Sequence, residues 1–232
     1  MSGVLLKAVS AGRPHQVRLL LDSGITMETK DECGQTPLIR SVFIEHPRNR
    51  FRVMKLLLKY GAKVSDSDIV GRNALSWACL YALHKEVKLL LDESDVNLNL
   101  NQQDINGQTS LFHAATSGSA SVVKLIVDAL KRYDMSIELS NRKGYTPLMQ
   151  AIKLGHDVCA TILIYQGQAT VGLSMKGPED ITYAEMWANQ RKQALQEQDE
   201  ADNPHFLPML NTASLRIIKV CEYVLALGFI EY

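Results

Sequence analysis

Six histidines, four cysteines and 25 carboxylates could in principle support acid–base, nucleophilic or metal chemistry, but their spacing argues against each. Cys33, Cys79, Cys159 and Cys221 are far apart, form no Cys-x-x-Cys and have no histidine at ligand spacing. They are expected to be reduced, mostly buried thiols of a cytoplasmic or nuclear protein, with no metal site and no cofactor. A Gly-rich phosphate loop, a Gly-x-Ser-x-Gly elbow and a His-Glu-x-x-His pair are all missing from the sequence. Glu179, Asp180 and Glu185 cluster where a helix should begin, and acids there compensate the helix dipole. Ser110 is likewise a helix-start residue with no base nearby in sequence. No catalytic residue is assigned, and the chain is not expected to be an enzyme.

The remaining candidates have side chains suited to recognition. Trp77 and Tyr81 are four residues apart and share a helical face. Trp, Tyr and Arg are the residues that dominate interface energetics, a buried anchor contributing about 2 kcal/mol or more. Arg40, Arg72, Gln108, His113, Tyr145 and Gln150 join them through the register of a repeat. Asp31, Asp68, Asp104 and Asn141 are each followed by Gly at the third position and Leu at the seventh. The glycines, 34, 71, 107 and 144, recur at intervals of 37, 36 and 37 residues. A fixed period of this size means stacked supersecondary units.

Each unit carries its own folding signals. The glycine permits a tight turn with positive φ. Thr36, Asn73, Thr109 and Thr146 follow two residues later as N-caps, and Pro37 and Pro147 fit the first helical position. Small residues such as Ala78-Cys79 and Ala114-Ala115 let neighbouring helices approach closely. A second apolar segment begins 14 residues after the key leucine in three units (75 to 89, 111 to 125, 148 to 162). Gly24, Gly61 and Gly167 follow three of these segments as expected left-handed C-caps.

Turn, short helix, second helix and glycine stop together resemble the ankyrin repeat, over nearly the whole chain. Gly-x-Thr-Pro-Leu stands intact twice, at 34–38 and 144–148, and altered twice. The family's histidine after Thr-Pro-Leu is replaced by Ile39, Ser76, Phe112 and Met149, which departs from the usual Thr–His hydrogen bonding. The resemblance implies an all-α solenoid of about six helix-turn-helix repeats with short turn or β-hairpin fingers. It also implies a protein-interaction function on the concave side. Two columns then come together: Lys7, Arg40, Trp77, His113, Gln150 and Tyr183 two residues past the key leucines, and Gln35, Arg72, Gln108 and Tyr145 in the turns.

In chain order, the expected repeats of a single domain span 1–30, 31–67, 68–103, 104–140, 141–173 and a divergent capping repeat, 174–232. The second carries four extra residues between its helices, where Pro47 is expected to stop the first helix and Arg48, Arg50 and Arg52 to project as a basic insert. The second helix of the fourth repeat, lacking a glycine stop, should run on through Tyr133. His46, His84 and His156 fall between helices, where structural duty is expected. After the second helix of the third repeat, Asp95-Val-Asn97 resembles the acceptor pattern of an iron- and 2-oxoglutarate-dependent asparaginyl hydroxylase, making Asn97 a candidate for hydroxylation.

Zero net charge gives no reason to expect nucleic acid binding. Neither a signal peptide nor a membrane span is apparent. The expected molecule is a monomeric adaptor or scaffold binding another protein. The alternative is the regulatory or targeting domain of a longer enzyme or channel, and the final Phe229-Ile-Glu-Tyr232, without a polar tail, is consistent with a piece of a longer polypeptide.

Overall fold

Each complete repeat opens with a turn closed by its own side chain. Asp31, Asp68, Asp104 and Asn141 accept, through Oδ1, the amides two and four residues further on at 2.8–3.0 Å. The turn glycine donates back to the carbonyl of the same Asp or Asn at 2.8–3.0 Å. Successive turns are then joined by one backbone bond each: Ile69 to Cys33, Ile105 to Val70 and Arg142 to Asn106, at 3.1, 3.0 and 2.9 Å. Gly107 illustrates why the glycine is required. Its φ is +74°, and a Cβ there would stand 2.8 Å from the Arg142 nitrogen of the next turn. Conformation and stacking exclude a side chain together.

The computed structural model describes residues 3–93 and 99–169, which form five helix pairs. The first helices are α1 (Gly3–Ser10), α3 (Pro37–Val42), α5 (Ala74–Leu80), α7 (Ser110–Ser117) and α9 (Pro147–Lys153). The second helices are α2 (Pro14–Asp22), α4 (Pro47–Lys59), α6 (His84–Asp92), α8 (Ala120–Arg132) and α10 (Asp157–Tyr165). Thr36, Asn73, Thr109 and Thr146 cap α3, α5, α7 and α9, accepting the amides of Ile39, Ser76, Phe112 and Met149 at 2.8–3.3 Å. This satisfies one amide that a helix start would otherwise leave unbonded. First helices pack on first helices and second on second, so two parallel rows build an all-α solenoid. Among the described residues the fingers are tight turns without strands, with one isolated bridge between Ser67 and Asn73.

The core lies between the rows. The key leucines, Leu5, Leu38, Leu75, Leu111 and Leu148, are all buried, as are Val17, Met54, Val87, Val123 and Ala160 from the second helices. Two expectations about the helix ends need correction. Pro47 does not stop α3; it is the first residue of α4, so the four extra residues add one turn to that helix. A first-turn position has no intrahelical use for an N–H, so proline costs nothing there. Gly24 and Gly61 adopt positive φ as expected, but after α10 the left-handed residue is Gln168 rather than Gly167. The long α8 ends at Arg132, and Asp134 takes the left-handed position that lacks a glycine.

Two of the three inter-helix histidines, His156 and His46, act within the fold. His156 Nε2 lies 3.2 Å from the Thr116 carbonyl, tying the start of α10 to the end of α7. A Cβ on Gly118 would stand 2.7 Å from that imidazole, so the histidine fills the space the glycine leaves. His46 caps α4, its Nδ1 accepting the Asn49 amide at 3.4 Å, and His84 is the first residue of α6.

Candidate protein-interaction site

The first helices carry the candidate site, and its centre is on α5. Trp77 and Tyr81, one helical turn apart, stack with ring centroids 6.1 Å apart and planes 20° from parallel. Phe43, the residue capping the C-terminus of α3, meets both edge-on at 5.2 and 5.7 Å. Offset and edge-to-face pairs of this kind place the positive ring edge against the negative face of a neighbour. The Trp77 Nε1–H donates to Asp68 Oδ2 at 2.8 Å, which fixes the indole against its own turn. Arg72 covers the same ring with its guanidinium carbon 4.9 Å from the centroid. Tyr81 remains 54% exposed, so the cluster offers an aromatic surface whose base is rigid.

Arg72 also binds Asp104, its Nε donating to Oδ2 at 3.0 Å across two consecutive turns. On the other side of that carboxylate lies His113, with Nε2 3.2 Å from Oδ2. This is within ion-pair distance, although the buried Nε2 is not aligned as a hydrogen-bond donor. Burial pushes the Asp104 carboxyl up. The His113 imidazole, the Gln108 amide, the Arg72 guanidinium and the Asn106 amide together outweigh it and hold the group well below the usual carboxylate range. Asp104 is therefore a charged centre joining repeats three and four.

The expected columns only partly face outward. His113 is 2% exposed, a correction to its expected place on the surface. Ser76 and Ser110, with hydroxyl oxygens 3.1 Å apart, let α5 and α7 come close while Asp104 takes up the imidazole. Tyr145 is corrected likewise: its ring is buried beneath Lys153, whose Nζ lies 4.6 Å from the centroid and 3.3 Å from the phenol oxygen. Arg72 is mostly engaged within the chain, its side chain 17% exposed. Arg40 reaches across to α1, bonding Ser10 Oγ at 3.1 Å and Gln35 Oε1 at 3.3 Å, with Asp31 at 3.8 Å. Gln108 and Gln150 are half-buried.

The basic insert divides. Arg48 and Arg52 are exposed on α4. Arg50 is instead an internal strut, a correction to its expected projection. It pairs with buried Glu86 of α6 at 2.8 Å and donates to the Ile44 carbonyl at 2.9 Å. Asn97, Tyr183 and the expected sixth repeat lie outside the described residues. Phe43 and Ser10 were not singled out in the sequence. Both stand five residues after a key leucine, a third position of the same face that the two-column register omits.

An open groove of about 840 Å³ continues the face toward the N-terminus, between α1 and the first turn. Lys7, Ser10 and Arg40 line it, with Lys30, Asp31, Glu32 and Cys33 opposite Leu6 and Ala11. Cys79 and Cys159 are buried free thiols, and burial pushes Cys159 up to about 11. Among the described residues no group of three or more His, Cys, Asp or Glu is placed to hold a metal ion, and no helix is long and apolar enough to cross a membrane.

Comparison with known proteins follows the same repeats. A family model described as ankyrin repeats (three copies) matches residues 5–102 and 87–172. Ankyrin repeat domain-containing protein 63 of Mus musculus is 33% identical over 160 residues, 68% of this chain and 40% of that protein. Its Homo sapiens namesake is 32% identical over 175 residues, 74% of this chain and 45% of that protein. The chain thus spans less than half the length of these relatives. A protein named L-asparaginase from Dirofilaria immitis is 28% identical over 147 residues, which is 63% of this chain but 23% of that protein.

Proposed function

Since the chain belongs to the ankyrin-repeat family, whose repeats are protein-interaction modules, we propose that it is a non-catalytic adaptor that binds a segment of a partner protein along its first helices. The Phe43–Trp77–Tyr81 cluster under Arg72 is the single observation that carries this reading. It combines the residue types that dominate interfaces with a base fixed by Asp68 and Asp104, so little side-chain freedom is lost on binding. Arg40, Gln108 and Gln150 extend the contact on either side. A cytoplasmic or nuclear location is part of this reading, resting on four cysteines spaced far apart in the sequence.

A second reading, the regulatory or targeting part of a longer enzyme or channel, has one observation in its favour. The chain covers only 40% and 45% of the named relatives. The same surface would then recruit a partner to an activity located elsewhere.

The test is affinity capture with the intact chain and its Trp77→Ala variant. The partner's Kd should weaken at least tenfold, about 1.4 kcal/mol, when both forms are compared at a temperature where they are fully folded. Undiminished capture by a variant that melts much earlier would assign Trp77 to the core.

A further inference from the structure

The charge distribution on the first-helix row goes beyond the reading just given. Across the 36 residues of α1, α3, α5, α7 and α9 there is no acidic side chain, whereas a share proportionate to 25 in 232 would be about four. The acids of the adjoining turns are largely engaged. Asp31, Asp68 and Asp104 accept turn amides through Oδ1, and Asp68 and Asp104 have their second oxygens bound to Trp77 and Arg72. Glu32 at a turn tip is exposed and lines the same groove as Lys7 and Arg40. The cations are less enclosed. Lys7 is exposed, and Arg40, with 37% of its side chain exposed, is bonded by the Ser10 hydroxyl and the Gln35 amide and forms a long ion pair with Asp31 at 3.8 Å.

These cations form a line. Trp77 is on α5 with Tyr81 at its C-terminal cap, Arg40 is on α3 and Lys7 is on α1, with Lys7 and Arg40 sharing the wall of the open groove. Neighbouring packed helices are separated by about 10 Å. An extended peptide advances about 3.3 Å per residue, so about three residues carry it from one repeat to the next.

We propose that this face selects an extended acidic segment of a partner protein, with an apolar or aromatic anchor on the Phe43–Trp77–Tyr81 cluster. Carboxylates about three and six residues from the anchor meet Arg40 and then Lys7. The inference rests on the first helices being the partner site and adds the ligand's chemistry and spacing. Direction along the chain is left free, since side-chain charge rather than a backbone ladder sets the register. Such complementarity raises association rate and specificity, and salt weakens it.

A displayed library of random 12-residue peptides, selected on the intact chain, tests the proposal. Enriched sequences should carry acids three and six residues from an apolar or aromatic residue. Changing those acids to Gln should weaken the synthetic peptide's Kd at least tenfold. In a Lys7→Ala/Arg40→Gln variant with an unchanged melting temperature, the acidic and Gln peptides should bind within twofold of each other. Enriched peptides that lose binding with Trp77→Ala but lack acids at this spacing would overturn the inference and leave the interaction site standing. Enrichment insensitive to Trp77→Ala would overturn both.

Discussion

Trp77 and His113 occupy the same position in successive repeats, two residues past a buried leucine, yet they do different work. Trp77 is half-buried, packed against the core on one side and framed by Tyr81, Phe43 and Arg72 on the other, whereas His113 is enclosed against Asp104. The cause lies in their neighbours. Ser76 and Ser110 bring α5 and α7 together over His113, while bulky Phe43 at the end of α3 supports the indole from its edge. Register therefore fixes which way a side chain sets out. Whether it arrives in solvent depends on the size and charge of residues one repeat away.

Asp104 is where this contrast can be broken most severely. Asp104→Ala leaves Arg72 and His113 facing each other without their carboxylate and removes two turn bonds. The expected loss in urea unfolding is about 3–5 kcal/mol, the range for breaking a buried ion pair. Asp68→Ala, which strands no cation, should cost about 1–3 kcal/mol. Equal losses would mean that the charged link between repeats three and four adds nothing to the turn.

Arg50 and its neighbours repeat the contrast on α4. Arg50→Ala strands Glu86 and should destabilise by about 3 kcal/mol. Arg48→Ala with Arg52→Ala should stay within about 0.5 kcal/mol per site. For association with an acidic ligand the ranking reverses, because only the exposed pair contributes to long-range attraction. Stopped-flow rates at low and high salt, beside thermal melts, separate the two roles.

Acid provides a milder probe of the same region. The folded-state pKa of Asp104 is depressed, so its stabilisation is complete above the unfolded value of about 3.9 and is lost as pH falls toward the folded value. Between pH 5 and 8 this group should contribute no pH dependence. Below about pH 4 the wild type should lose stability more steeply than Asp104→Asn, as read from urea midpoints. Parallel slopes would remove Asp104 from the acid response.

Most of the fold could be read from spacing. Asp or Asn, Gly and Leu at fixed offsets carry the turn, the cap and the buried anchor, and these are local properties repeated four times. The Thr and Asn caps and the long α8 followed from such local rules. Pro47 did not, because proline both ends and begins helices, and only the packing of α4 decides between them. The site was less legible for a related reason. Arg50 meets Glu86 across 36 residues, and His113 meets Asp104 through side-chain reach, neither of which a one-repeat register encodes. Phe43 escaped notice because the register sampled two positions of a face that has a third.

The account rests on Trp77 being for binding and His113 for folding. Isothermal titration of one library-selected 12-residue peptide into the wild type, Trp77→Ala and His113→Gln, with a thermal melt of each, tests this most directly. Trp77→Ala should weaken the peptide at least tenfold when measured at a temperature where the variant is fully folded. His113→Gln should melt earlier yet bind within twofold of the wild type. The opposite pattern, with His113 controlling affinity and Trp77 controlling stability, would contradict the account.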